Sequence, residues 1–335
     1  MPLNILQRLG YGLLVIVLVT VGTTLLLSFA PGSVAEVILG EGATPENIVR
    51  LKAQLGLDLP MWQQYLNWLV HAFQGDLGAS PITHVPVMTA IVQRLPVTLE
   101  IAFLGLAIAL IIAIILGVIS AAMPGSAVDR GINVLTSVFI SVPPFVSGPL
   151  LIFIFAVGMH AFPSVGWSPL EAGLGANLRN AFLPALSVAF MEIASFQRVL
   201  RTDLVSTLRE DYVAAARAKG MGKAYVMFRH AFRPSSFSLL TVAGINLARL
   251  IGGTIVVETL FGLPGLGQLV SNAIMQRDVI TVQGVVTFVA VVFVIVNMLV
   301  DISYGLIDPR VRKAERATKK KTTAASRIPR KALQA

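Results

Sequence analysis

Residues 9–30 run 22 positions, LGYGLLVIVLVTVGTTLLLSFA, without one charged side chain. No other feature limits the fold as strongly. A bilayer core of about 30 Å is crossed by roughly 20 apolar residues in a helix, because lipid offers backbone N–H and C=O groups no partner and a helix pairs them internally. Three further runs, 101–123, 131–159 and 280–300, are equally free of charge, and two more, 181–197 and 235–257, are interrupted only by Glu192 and Arg249. The pattern predicts an all-α membrane protein with six transmembrane helices. Ser28-Phe29-Ala30 resembles a signal-peptide cleavage site, but the apolar run exceeds the usual 7–15 residues or so of such a peptide and reads as an uncleaved anchor.

Of the 335 residues, 55% are hydrophobic and 13% charged, outside the range of soluble domains. The absence of cysteine excludes disulfides and thiolate-ligated metal. A net charge of +9 suggests nucleic acid only until the charges are placed. Residues 310–335 hold ten Lys or Arg against Glu315, and the first 309 residues balance sixteen basic with sixteen acidic groups. The excess is a basic tail, read as disordered and lying against anionic membrane lipid, with no nucleic-acid partner. Residues 198–233 carry eight more basic side chains against Asp203, Glu210 and Asp211. The positive-inside rule puts this segment, the tail and the N-terminus in the cytoplasm.

Residues 1–30 then form the N-terminus and first span, 31–96 an extracytoplasmic helical loop, 97–309 the membrane core and 310–335 the tail. In the loop, Thr44-Pro45-Glu46 starts an amphipathic helix ending near Gly56, and MWQQYLNWLVHAF (61–73) forms a second. Residues 75–78 form a turn, and 87–95 a short surface helix before the second span.

The stretch AAARAKGMGKAYVMFRHAFRP, 214–234, stands apart from the apolar runs around it. Thr207 with Glu210 has the spacing of a capping box, which starts a helix near Leu208, with Asp211 favourable to its dipole. Tyr212 and the alanines Ala214, Ala215, Ala216 and Ala218 extend it. Arg217 and Lys219 lie near its C-terminal end, Gly220 stops it in a left-handed conformation, and Gly222 allows a second change of direction. A further helix over 223–232 returns to the membrane, where Pro234 opens the fifth span. On helix pattern alone this is either an ordinary connector or a cytoplasmic surface of small side chains over which another protein's groove can close.

The segment DYVAAARAKGMGKAYVMFRHAFRP resembles the so-called EAA loop of ATP-binding-cassette importer permeases, in the form found in the oligopeptide, dipeptide and nickel permease family. GLDLPMWQQYLNWL, GDLGAS, VQRLPVTLE, ISVPPF, VVETLFGLPGLG, RDVITVQGVV and YGLIDPRVR are similar to that family's first permease subunit, in order along the chain up to Arg312. The resemblance implies the type I importer permease fold in a bacterial or archaeal cytoplasmic membrane. It also implies a second homologous permease subunit, two ATPase subunits that bind ATP and Mg, and an extracytoplasmic substrate-binding protein. Relatives carry peptides, nickel chelates, glutathione or sugars; peptides are the default. ATPase coupling would fall to Asp211, Tyr212, Ala214, Ala215, Ala216, Arg217, Lys219, Gly220, Gly222 and His230. Ala214 stands where many relatives carry glutamate, and Pro234 where asparagine is common, which would shift or kink the start of the fifth span.

The chain itself has no phosphate loop: GLPGLG (262–267) lacks the lysine. His71, His84, His160 and His230 are scattered, and no protease motif is present. It is therefore not expected to be an enzyme, and no cofactor or metal is expected on it. Charges within spans are expensive, so Glu192 and Arg249 are expected to face the bundle interior, either as a structural pair or in contact with substrate. Ser195, Asn246, Thr254 and Asn297 are candidates for a pathway wall or for helix-to-helix hydrogen bonds. Pro143-Pro144 breaks the third span's hydrogen-bond ladder, and Glu258 is placed near an outer gate by the resemblance. A secondary transporter or channel, or a non-transporting scaffold, are the alternative readings. The first would need inverted repeats and membrane carboxylates, of which the chain offers little beyond Glu192.

Overall fold

The computed structural model describes residues 2–29 and 34–307, with side-chain surroundings for 9–29 and 34–300; the tail read at 310–335 lies outside the described residues. Helices dominate throughout. The first, α1 (Pro2–Ser28), is followed by three short loop helices, α2 (Val34–Leu39), α3 (Pro45–Gln54) and α4 (Met61–Phe73). The Thr44 hydroxyl caps α3 by accepting from Asn47 N at 3.3 Å, with Pro45 in the first turn, as its sequence predicts.

Next comes α5 (Val87–Ala122), one continuous helix in which the expected surface helix over 87–95 and the second span are fused. Pro96 lies inside it. A helix-interior proline costs about 3 kcal/mol. Against this, Val87 and Ile91 are buried on Leu266, Val270 and Val285, and burying two such side chains contributes about 3–6 kcal/mol. Packing that no local pattern reveals carries the helix through the proline.

The third span is the reverse case. α6 (Ala127–Ser141) and α7 (Pro144–Leu151, prolonged by a π-helical turn over Ile152–Gly158) meet at 105°. Pro143 and Pro144 withhold two successive N–H donors, and Val142 is pushed to an extended conformation (φ −101°, ψ 104°). Among the described residues five helices are long and apolar enough to cross a membrane, or six when the bent pair is counted as one span.

The remaining elements are α8 (Leu174–Thr207), α9 (Asp211–Ala218), α10 (Lys223–Tyr225), α11 (Arg233–Gly253), α12 (Ile255–Phe261), α13 (Leu266–Met275) and α14 (Val279–Ile307). A π-helical stretch, Val226–Phe232, joins α10 to α11, so the fifth crossing is continuous from Lys223 to Gly253. Pro234 therefore sits inside that helix rather than opening it, and the helix ends before Thr254, short of the expected 257.

The centre of the bundle is the seam between α5 and α8. Gly105, Ala109, Ala113, Gly117 and Ala121 recur every fourth residue of α5 and are all buried; Ala181, Ala185 and Ala189 repeat the spacing on α8. Small residues at this interval form a shallow groove that lets two helix backbones approach closely, which lipid-soluble helices need because lipid supplies no hydrophobic drive. A Cβ on Gly105 would stand 2.6 Å from a Val188 methyl and 3.1 Å from the Ala185 carbonyl oxygen.

Two polar clusters close the ends of this seam. At one end the Glu258 carboxylate, fully buried, accepts from Thr98 Oγ1 (2.8 Å), Thr254 Oγ1 (2.7 Å), Gly267 N (2.6 Å) and Gln268 N (3.3 Å). Thr98 Oγ1 in turn accepts from Leu266 N at 2.8 Å. The carboxylate thus caps the N-terminus of α13 and ties it to α5 and α12. A side chain on Gly265 or Gly267 would collide with that carboxylate or with Ile255, which explains two glycines of GLPGLG; the third, Gly262, is left-handed at φ +64°. At the other end, buried Asp129 accepts from Arg201 Nε (2.7 Å) and Nη2 (2.6 Å), Gly125 N (2.8 Å), Asn133 Nδ2 (2.9 Å) and the Ser120 hydroxyl. This clamp joins α5, α6 and α8.

Thr98→Val, which removes the hydroxyl but keeps the shape, is expected to lower stability by about 1–3 kcal/mol, because Leu266 N loses its partner in a buried site. A thermal-unfolding midpoint equal to wild type in detergent would contradict the knot's structural weight. Asp129→Ala is expected to cost up to about 3 kcal/mol, near the lower bound for breaking an ion pair because Arg201 retains some water access. The Asp129→Leu/Arg201→Met double variant should recover part of that loss, measured by the same midpoint.

Candidate functional site

The elbow between α8 and α11 is held by very few side chains. α8 runs to Thr207, Leu208 caps its C-terminus, and α9 begins at Asp211, not near Leu208. The Thr207 capping box does not form: Thr207 is the last residue of α8, its hydroxyl paired with Ser235 Oγ at 3.3 Å. Glu210 takes the cap position through its backbone, its carbonyl accepting from Val213 N (3.0 Å) and Ala214 N (3.1 Å). The sequence places Thr207 and Glu210 correctly for a box, but the packing of α8 down to buried Leu204 keeps Thr207 helical.

α9 ends as expected. Gly220 has φ +79°, and Met221 N returns to the Ala216 carbonyl at 3.3 Å. Gly222 does not share this requirement: its φ of −63° and ψ of 150° suit any residue, and a Cβ there would meet open space. The conformational demand of the elbow rests on Gly220 alone.

Val213 and Ala216 are the two buried residues of α9 and pack on Val226 and Leu208. Ala216 is therefore an anchor of the helix, while Asp211, Tyr212, Ala214, Ala215, Arg217 and Lys219 are exposed. A second tether comes from the backbone. Pro234 has no N–H to offer the carbonyl four residues back, that of His230, and the Tyr212 hydroxyl donates to this oxygen at 3.2 Å. The π-helical turn over Val226–Phe232 lies beside the same point. Next to α9 the elbow also exposes Met221, Tyr225 and Phe228, with Tyr225 edge-on to His230 at 5.6 Å between ring centres. Sequence reading missed this apolar patch, although aromatic side chains at 225 and 228 within a basic segment were a visible signal. A cleft of about 390 Å³ lined by Thr202, Ser206, Arg209, Glu210 and Asp211 flanks the start of α9.

A second polar site lies within the spans. Glu192 Oε1 accepts from Arg249 Nη2 at 2.5 Å and Oε2 from Asn246 Nδ2 at 2.6 Å, so the two intramembrane charges do pair. Their exposure differs greatly: 3% of the Glu192 side chain is exposed against 57% of Arg249. Arg249 lies four residues before the end of the crossing Lys223–Gly253, and a guanidinium so open there is too costly to face hydrocarbon and reaches water, a headgroup or another protein. Half-buried Ser195 lies one turn along α8 from Glu192. Thr254 and Glu258 belong instead to the enclosed knot, and Asn297 donates to the Phe293 carbonyl of its own helix at 2.8 Å. Pro143 and Pro144 sit at the bend of the third span, where the Pro144 carbonyl accepts from Ser187 Oγ (3.3 Å).

The elbow, the bent third span and the paired charges can be set beside known proteins. Residues 113–313 match the family described as binding-protein-dependent transport system inner membrane component, and residues 1–102 match the N-terminal region of such membrane components. A putative peptide transport system permease protein of Brucella abortus (strain 2308) is 41% identical over 309 residues, covering 92% of this chain and 98% of that protein. A probable peptide ABC transporter permease protein of Sinorhizobium fredii is 35% identical over 312 residues, covering 93% and 100%. The dipeptide transport system permease protein of Escherichia coli K12 is 34% identical over 332 residues, covering 92% and 98%. Among solved structures, a chain of the inward-facing MetNI methionine ABC transporter aligns with TM-score 0.55 at 16% identity, over 66% of this chain and 97% of that one, which shows a shared fold. With both parts of the family matched along nearly its whole length and the type I importer permease fold in place, the chain belongs to the inner-membrane permease components of binding-protein-dependent ABC transport systems.

Proposed function

We propose that the chain is a transmembrane subunit of an ATP-driven importer for di- or oligopeptides, moved by separate ATPase subunits through the elbow at 207–234. The observation that carries this reading is the build of α9: a short helix fixed from within by Val213 and Ala216, presenting Ala214 and Ala215 outward beside Tyr225 and Phe228. Small side chains let a partner's groove close on the helix backbone, and the neighbouring aromatic patch supplies apolar area for it to cover. Two linkages pass a push onward. The Val213–Val226 contact and the Tyr212 hydrogen bond lead into α11; the turn at Leu208 leads into α8, whose seam with α5 is the most extensive in the bundle.

In this reading a second, homologous permease covers the Arg249 side of α11, and an extracytoplasmic binding protein delivers the peptide to the far end. ATP and Mg are bound by the ATPase partners alone. Both termini lie in the cytoplasm, on the side of the elbow. The peptide assignment is supported by the names borne by the Brucella, Sinorhizobium and Escherichia relatives. Closure of the ATPases displaces α9, α8 and α11 rock with it, and access to the pathway between the two permeases alternates.

Tagged full-length chain extracted from its native membrane is expected to bring down a second permease and ATPase subunits; recovery of the chain alone, able to move solute unaided, would defeat the reading. In reconstituted vesicles, Gly220→Val forces a β-branched residue into the left-handed region at a cost of about 1–2 kcal/mol or more, and peptide uptake should fall while ATP hydrolysis persists. Gly222→Ala should keep uptake near wild type. Equal uptake by the Gly220→Val protein would remove the elbow from the coupling path.

A further inference from the structure

The loop helix α4 carries a surface that the transport reading does not use. Ten of its thirteen residues define three sectors around the helix axis. Tyr65, Trp68 and Ala72 point into the protein: Trp68 and Ala72 pack against the cluster around Leu77, Val87 and Val285, and Trp68 Nε1 donates to the Leu77 carbonyl at 3.2 Å. The next sector holds Trp62, Leu66, Val70 and Phe73, exposed by 61%, 48%, 57% and 76%. The third holds Gln63, Asn67 and His71. The residues 59–75 include no Asp, Glu, Lys or Arg.

The height of this helix is fixed by one hydrogen bond. Tyr65 Oη lies 2.9 Å from Thr20 Oγ1, and Thr20 belongs to the uncharged span Leu9–Ser28. Thr20 is eight residues short of the end of that span, which at 1.5 Å per residue is about 12 Å along the helix axis. A side chain of α4 thus reaches well below the top of a membrane-crossing helix. α1 exposes Leu13, Leu18, Leu25 and Leu26, and α4 packs against this same helix.

From this geometry we infer that α4 is seated in the bilayer, lying in the leaflet at the loop end of the bundle with Trp62, Leu66, Val70 and Phe73 among the acyl chains and Gln63, Asn67 and His71 at the headgroups. Lipid, not a protein partner, is the occupant of the stripe. A helix with one apolar and one polar exposed sector is built for such an interface, and tryptophan is favoured at that depth. The absence of charge suits lipid and gives a soluble binding protein nothing to pair with. Seated in this way, α4 anchors the loop against α1 and fixes the height of the turn at 75–78 that precedes α5. The inference requires only that α1 crosses the membrane and holds whether or not the elbow engages an ATPase.

The chain has no cysteine, so single Leu66→Cys, Val70→Cys, Asn67→Cys and His71→Cys variants accept one nitroxide each without other changes. The full chain, purified with the subunits it brings and reconstituted in phosphatidylethanolamine–phosphatidylglycerol bilayers, is then probed with oxygen and a water-soluble nickel chelate. At 66 and 70 collisions with oxygen should exceed those with nickel several-fold, and at 67 and 71 the order should reverse. Nickel access at 66 and 70 would put the helix in water, and low access to both relaxants would mean that protein covers the stripe; either overturns the inference. As a label-free check, phospholipid brominated on its acyl chains should quench tryptophan emission in the cysteine-free protein, and the quenchable fraction should drop in Trp62→Phe. An unchanged fraction would also overturn it.

Discussion

The close approach of α5 and α8 is the constraint on which the other elements depend. Two helices in lipid gain nothing by hiding apolar surface from one another, so they stay together only if their backbones come near enough for dispersion and weak polar contacts to accumulate. Gly105, Ala109, Ala113 and Gly117 give α5 such a surface, and Ala185 and Ala189 match it. Once this pair is set, the polar clusters at its ends become possible. Thr98 on α5 can reach Glu258, and Arg201 on α8 can reach Asp129. Each cluster then fixes a third element that lacks a small-residue seam of its own.

The two ends are built for different mechanical behaviour. The Glu258 knot is buried, with its carboxylate committed to four donors from α5, Thr254 at the head of α12 and the start of α13. Moving any of these elements would break hydrogen bonds to a buried side chain. The elbow end is secured by the Asp129–Arg201 clamp on the α8 side, but α9 itself hangs on two buried side chains and one hydroxyl-to-carbonyl bond. The elbow helix thus has far fewer side-chain ties to the bundle than the Glu258 knot has.

The fit between Tyr212 and Pro234 shows how a proline within a helix can be accommodated. Proline at 234 strips the His230 carbonyl of the donor four residues on, and the sequence alone suggests a shifted or kinked start to the fifth span. The helix instead widens to a π-turn over Val226–Phe232 and continues, and a side chain from the elbow supplies a donor to the His230 oxygen. A residue that locally weakens a helix thus stands beside a contact between the elbow and the span.

Much of this protein was written in its linear order. Uncharged runs of the right length set the crossings, Pro143-Pro144 marked the break in the third, Thr44-Pro45 and the 61–73 pattern marked two loop helices, and Gly220 marked the end of α9. Each is a local property, decided by what one stretch of backbone can do in water or lipid. The misreadings arose where distant residues decide. Pro96 stays helical because Val87 and Ile91 are buried under α13 and α14; Thr207 stays in α8 instead of capping α9; Ala216 turns inward while its neighbours turn out; and Asp129 finds Arg201 across 72 positions. Side-chain partners far apart in the chain, and the depth at which α4 sits, are set by how the helices stack. That stacking energy is a sum over contacts that exist only after the chain has folded.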